Sequence, residues 1–154
     1  VAWYADGAPC DYYGKPSAQG PKAVGWLEKG HEYARGDVSE ALVAKLVELL
    51  VDPWEPAIAA GLHRCDLCRF RFSNQNPGFT FRGTSVALWT NCVFVPDKDA
   101  LYVAPSGILH YLDAHEYAPP GEFVAAVLAC PPMGSMNYLR ALKKVAPPDL
   151  LKLR

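Results

Sequence analysis

Two thiols in a C-x-x-C spacing, Cys65 and Cys68 within Gly61-Leu62-His63-Arg64-Cys65-Asp66-Leu67-Cys68, constrain this chain more than any other feature. Such a turn lets both sulfurs face one point, and an ion held there needs further ligands from elsewhere in the sequence. His110 and His115, in His110-Tyr111-Leu112-Asp113-Ala114-His115, have the H-x4-H spacing of the second half of finger-type sites. A thiolate binds zinc at about 2.3 Å and an imidazole nitrogen at about 2.0–2.1 Å, and four such ligands close a structural tetrahedron. Zinc is therefore the expected cofactor, with Cys65, Cys68, His110 and His115 as its ligands. The fold must then bring the knuckle and the histidine segment together. On an ideal helix the two histidines lie about 140° apart, so the helix has to loosen near His115. Tyr117-Ala118-Pro119-Pro120 predicts that ending, because proline cannot continue the hydrogen-bond ladder.

Other residues compete for the same ion. His63 lies too near Cys65 to join one tetrahedron easily and is expected to line the site or to bond outward. Cys92, in Leu88-Trp89-Thr90-Asn91-Cys92-Val93-Phe94, and Cys130, before Pro131-Pro132, read as buried free thiols, and Cys10 as a free thiol in a turn. Five cysteines is an odd number, so complete intramolecular pairing is impossible. A thioredoxin-like redox role would place C-x-x-C between a strand and a helix, and no strand-like run precedes Cys65.

At 154 residues the chain is expected to form a single domain, 1–154, with an irregular arm over 1–22, a zinc-binding core over 61–116 and a short tail over 146–154. Fourteen prolines and twelve glycines predict many loops and short elements. The fold class this implies is α+β, a small antiparallel sheet with several helices around a treble-clef-like zinc knuckle. A helix is predicted from Val38 to Val51, where Leu42, Leu46, Leu49 and Leu50 recur at helical spacing, Asp37 or Ser39 can cap the start, and Asp52-Pro53 closes the end. Helices are also predicted from Pro105 to about Glu116, from Pro120 to Cys130 and from Met136 to about Val145. Strands are predicted at Ala23–Leu27, at Arg69–Phe72 paired with Phe79–Arg82, at Ser85–Val95 and, after a turn at Asp97-Lys98-Asp99, at Ala100–Val103.

Val24-Gly25-Trp26-Leu27-Glu28-Lys29-Gly30-His31, Gly61-x-His63-x-Cys65-x-x-Cys68 and His110-Tyr111-x-x-x-His115-x-Tyr117-x-Pro119-Pro120-x-Glu122-Phe123 together resemble an uncharacterised family of small bacterial proteins. The resemblance covers roughly residues 23 to 130. It implies that His31 and His63 belong to the same pattern as the metal ligands, and it carries no assigned activity.

Fifteen basic against sixteen acidic side chains leave almost no net charge, which argues against nucleic acid and anionic membranes as partners. The one basic patch, Arg64, Arg69, Arg71 and Arg82, reads as a solvated strand face. No apolar run spans a bilayer and the first residues lack a signal peptide's basic start and apolar middle, so a cytoplasmic location is expected. No H-E-x-x-H, G-x-S-x-G, phosphate-binding glycine loop or zinc-deaminase pairing is present. The leading expectation is a small zinc-stabilised binding or accessory module whose partner the sequence does not identify; the tyrosines of the arm offer an aromatic surface to a protein partner. The alternative is a zinc-dependent enzyme, hydrolase or nuclease-like, in which His31 and His63 act as base and acid near the metal.

Overall fold

The computed structural model describes residues 2–13, 20–56, 64–69 and 78–152. Helix α1 (Glu40–Leu50) starts where the Ser39 side chain accepts the Leu42 N–H, and it buries Leu42, Leu46, Val47, Leu49 and Leu50. That is the apolar face the leucine spacing predicts. Its outward residue Glu40 meets Arg82 at 2.6 Å; both side chains are mostly exposed, so the pair adds little to stability.

The sheet differs from expectation. A three-stranded sheet has the order β1-β5-β4. Strand β4 (Cys92–Pro96) and strand β5 (Leu101–Pro105) form an antiparallel hairpin with Phe94 opposite Val103, while β1 (Lys22–Ala23) runs parallel to β5. The sheet is therefore mixed. Both β4 and β5 are buried along their whole length, and the continuous apolar runs of these strands follow from burial on two faces. The predicted turn at Asp97 is present, with the Lys98 N–H donated to the Asp97 carboxylate at 2.8 Å.

A second, two-stranded sheet pairs β2 (Gly78–Phe81) with β3 (Thr84–Ala87). Phe79–Arg82 thus turns back at Arg82-Gly83 and pairs with the chain that follows it; the Arg69–Phe72 strand falls largely outside the described residues. The long strand predicted over Ser85–Val95 is broken. At Trp89 the backbone enters the left-handed region, φ 72°, and the chain swings out of β3 before entering β4.

Helix α2 (Ile108–Ala114) begins later than Pro105, which is the last residue of β5. Ser106 explains the delay. Its N–H is donated to the Asn91 carbonyl at 2.9 Å and its hydroxyl accepts the Trp89 N–H at 2.8 Å, so residue 106 is stapled to the loop after β3 and the helix starts beyond it. Helix α3 (Gly121–Ala129) and helix α4 (Met136–Val145) lie where their apolar stripes place them, α4 capped by the Ser135 hydroxyl. The tail is tied down by a short helix α5 (Pro148–Leu151) that buries Leu150.

The buried side chains make one apolar cluster joining α1, both sheets and α2 to α4. Residues 4–10 lie along 21–26 through backbone bonds, including Tyr4 N–H to Trp26 O and Ala23 N–H to Ala8 O. The Asp6 carboxylate accepts the Gly25 N–H at 3.0 Å and the Tyr117 hydroxyl at 2.8 and 2.9 Å. Tyr117 is fully buried. Tyr117→Phe is expected to destabilise the protein by about 1.5 kcal/mol, the low end for a hydrogen bond to a charged acceptor because Asp6 itself stays solvated. A lower urea midpoint at unchanged slope would show it.

Candidate metal centre

The knuckle and the C-terminal end of α2 meet. The sulfurs of Cys65 and Cys68 are 3.8 Å apart, Nε2 of His115 lies 3.3 Å from the first and 3.4 Å from the second, and Nε2 of His110 lies 3.2 Å from Cys68 Sγ. All four ligand atoms fall within 4.8 Å of one another. An ideal tetrahedron with zinc–sulfur and zinc–nitrogen bonds has an S–S edge of about 3.8 Å and S–N edges of about 3.6 Å. The S–S edge matches, and these three S–N edges are a few tenths of an ångström short. The four residues can therefore hold one metal ion, and no second group of this kind occurs among the described residues.

Each side chain is placed by a local device. Leu67 donates its backbone N–H to Cys65 Sγ at 3.3 Å, and the Asp66 carboxylate accepts the Lys29 N–H at 2.9 Å, anchoring the knuckle to the turn before His31. His115 sits one residue past α2 with φ −124° and ψ 12°, outside the helix as the spacing requires. Glu116 then takes φ 54° and turns the chain so that the Tyr117 N–H reaches the Tyr111 carbonyl at 3.2 Å. A left-handed backbone costs a side-chain-bearing residue roughly 1–2 kcal/mol. Glu116→Gly is expected to stabilise the protein by about 0.5–1 kcal/mol, since part of the relief is lost to a more flexible unfolded chain; thermal unfolding at constant metal content measures it.

His110 is positioned from behind. The Trp89 ring packs edge-on against His110, centroids 5.5 Å apart, and against Tyr111 at 5.7 Å. The loop strained at Trp89 thus forms the wall on which the first histidine rests. Gly107 makes room for that wall, because a Cβ there would lie 1.9 Å from the indole. Trp89, Gly107 and Asp66 support the site without any signal that sequence spacing carries.

Burial shapes the chemistry. Desolvation pushes the Cys65 thiol up to about 12, against the N–H bonds from Leu67 and Cys68 that favour its thiolate. Desolvation also lowers His110 and His115, helped at His110 by the neighbouring His115 and at His115 by the charge of Arg35. Neutral imidazoles are the ligand form, and a divalent cation supplies the positive charge that buried thiolates need.

The remaining sequence candidates lie elsewhere. His31 is exposed, stacked on Trp3 with ring centroids 3.8 Å apart, and its Nε2 is 3.4 Å from a Glu28 carboxylate oxygen. His63 and Arg71 lie outside the described residues. Cys10, Cys92 and Cys130 are buried free thiols apart from the cluster. In the basic patch, Arg82 is paired with Glu40. Among the described residues no helix is long and apolar enough to cross a membrane.

Fold and site together define an α+β protein with a Cys2His2 cluster able to hold a metal ion. The chain belongs to the family described as a domain of unknown function, DUF7919, whose sequence model matches residues 2–128. All four residues of the cluster lie in the matched stretch, whereas α4 and α5 lie beyond it. No curated protein and no solved structure matches the chain.

Proposed function

We propose that Cys65, Cys68, His110 and His115 bind one zinc ion whose role is mainly structural, and that the chain acts as a single-domain binding or accessory module. The observation that carries this reading is the convergence of four protein ligand atoms within 4.8 Å. A mixed sulfur and nitrogen tetrahedron suits zinc, and four protein ligands leave no position for a reacting water. The order of elements, a cysteine knuckle, a hairpin section and a helix end carrying the second ligand pair, supports a treble-clef-like module. Thiols kept as metal ligands suit a reducing compartment, which supports a cytoplasmic location.

Metal analysis of the purified protein is expected to give about one zinc per chain, and an anomalous-scattering map to show four protein side chains around it. Less than about half an equivalent, with the fold intact, would remove this reading. A zinc-dependent enzyme is the second reading, favoured by one observation: His31 and His115 line the same cavity. Three protein ligands and a water in that map would favour it over the structural role.

A further inference from the structure

The segment from Gly30 to Gly36 runs beside residues 115–118. It is held there by the Gly36 N–H to the Glu116 carbonyl at 3.0 Å and by the Ala118 N–H to the Ala34 carbonyl at 2.9 Å. Between this segment, the knuckle and the end of α2 opens a cavity of about 380 Å³, whose wall includes His31, Tyr33, Arg35, Leu67, His115 and Glu116. That volume is within the range of small-molecule sites and far exceeds the roughly 30 Å³ share of a single water.

The cationic group in this wall is prepared for a ligand. The Arg35 guanidinium lies over the Tyr33 ring, 4.8 Å from its centroid, and the Tyr33 hydroxyl is donated to the His115 carbonyl at 3.1 Å. Ring and backbone thus hold the guanidinium in place, which lowers the entropy lost on binding. Among the described residues no carboxylate pairs with Arg35, although two other basic side chains and His31 have such partners. His31, stacked on Trp3, lines the same wall with its Nε2 already facing the Glu28 carboxylate at 3.4 Å. A planar guanidinium fork matches an oxyanion through two parallel N–H bonds. Among the described residues Glu116 is the one carboxylate lining the wall, and it repels an anion without pairing with Arg35.

We propose that this cavity binds a small oxyanion, the carboxylate or phosphate group of a small molecule, with Arg35 as its main partner. This goes beyond the structural-zinc reading and requires only the fold, since Arg35 is not in the Cys2His2 cluster.

The test is titration of the full chain with inorganic phosphate and, separately, acetate, against chloride at constant ionic strength. Backbone amide chemical shifts and the indole N–H shift of Trp3 are followed, and zinc content is measured on the same samples. Saturable shifts of residues 30–36 and 115–117 are expected with at least one of the two probes. The probe that saturates tells phosphate from carboxylate. Arg35→Ala should weaken binding at least about tenfold, Arg35→Lys less, and Glu116→Gln should strengthen it by about two- to fivefold because it removes a like charge at nearly constant shape. Linear shifts that chloride reproduces, or binding unchanged by Arg35→Ala in a folded variant, would overturn the proposal. A sample without zinc that still binds the probe would count against the zinc reading alone.

Discussion

Cys65→Ser is expected to reduce zinc from about one equivalent to a minor fraction and to lower the unfolding temperature by roughly 10 °C or more in zinc-replete buffer. The size follows from the coupling of metal binding to folding. Structural zinc contributes about 10–16 kcal/mol to finger-type peptides, while a whole domain has only about 5–15 kcal/mol of net stability. Losing one of four ligands forfeits a large part of that contribution. At about 2–4 °C per kcal/mol for a chain of this length, even 3–4 kcal/mol gives the stated shift. Serine keeps the shape of the side chain, so the loss reports on the metal bond and not on a cavity. A chelator supplies the control: it should bring the native protein down towards the variant and leave the variant unchanged. If both melt together in zinc and in chelator, the cluster is not a metal site that stabilises the fold.

Gly107→Ala is the second large effect, and it acts through packing. The added methyl would lie 1.9, 2.3 and 2.5 Å from three carbons of the Trp89 ring, where carbon contacts settle near 3.5–4.0 Å. The ring has little freedom to retreat. Trp89 is only 6% exposed, is flanked by His110 and Tyr111, and its backbone is already in a region that bulky residues avoid. Overpacking a rigid core typically costs about 1–3 kcal/mol, and this contact belongs at or above the upper end. Because the displaced ring supports His110, zinc affinity should fall as well. Shrinking the ring in Gly107→Ala/Trp89→Leu should recover part of the loss, giving a coupling energy of about 1 kcal/mol or more in a double-mutant cycle. Simple addition of the two single effects would sink the explanation.

The convergence of Cys65, Cys68, His110 and His115 was legible because C-x-x-C and H-x4-H are short patterns with ligand spacing, and Pro119-Pro120 marks the end of the helix beyond His115. Helices α1 and α4 were legible for a similar reason, since the Ser39 and Ser135 caps lie within a turn of the apolar stripes they start. What the sequence did not show depends on contacts remote along the chain. The two-residue strand β1 gains its identity only by lying parallel to β5. Arg82-Gly83 is a weak turn signal because arginine seldom takes the left-handed conformation it has here, φ 48°, and the preceding Ser73-Asn74-Gln75-Asn76-Pro77-Gly78 is the stronger turn pattern. Trp89 breaks a run of β-branched and aromatic residues with no glycine or proline to mark it. Pro105 suits a helix start by propensity, yet the side chain next to it, Ser106, is committed to the 89–91 loop.

The hydrogen bonds that secure the first third of the chain are long in sequence. Trp26 Nε1 is donated to Val103 O across 77 positions, the Tyr111 hydroxyl to Leu27 O across 84, and the Tyr117 hydroxyl to Asp6 across 111. Contacts of such separation are reached late, because the entropy of closing the intervening loop must be overcome before they form. Folding should therefore be slow for a chain of this size, with the arm docking after the β4–β5 hairpin and α2 have assembled. During synthesis, the strip that flanks Gly25 has no strand to pair with until β5 has left the ribosome, and Asp6 waits longer still for the Tyr117 hydroxyl.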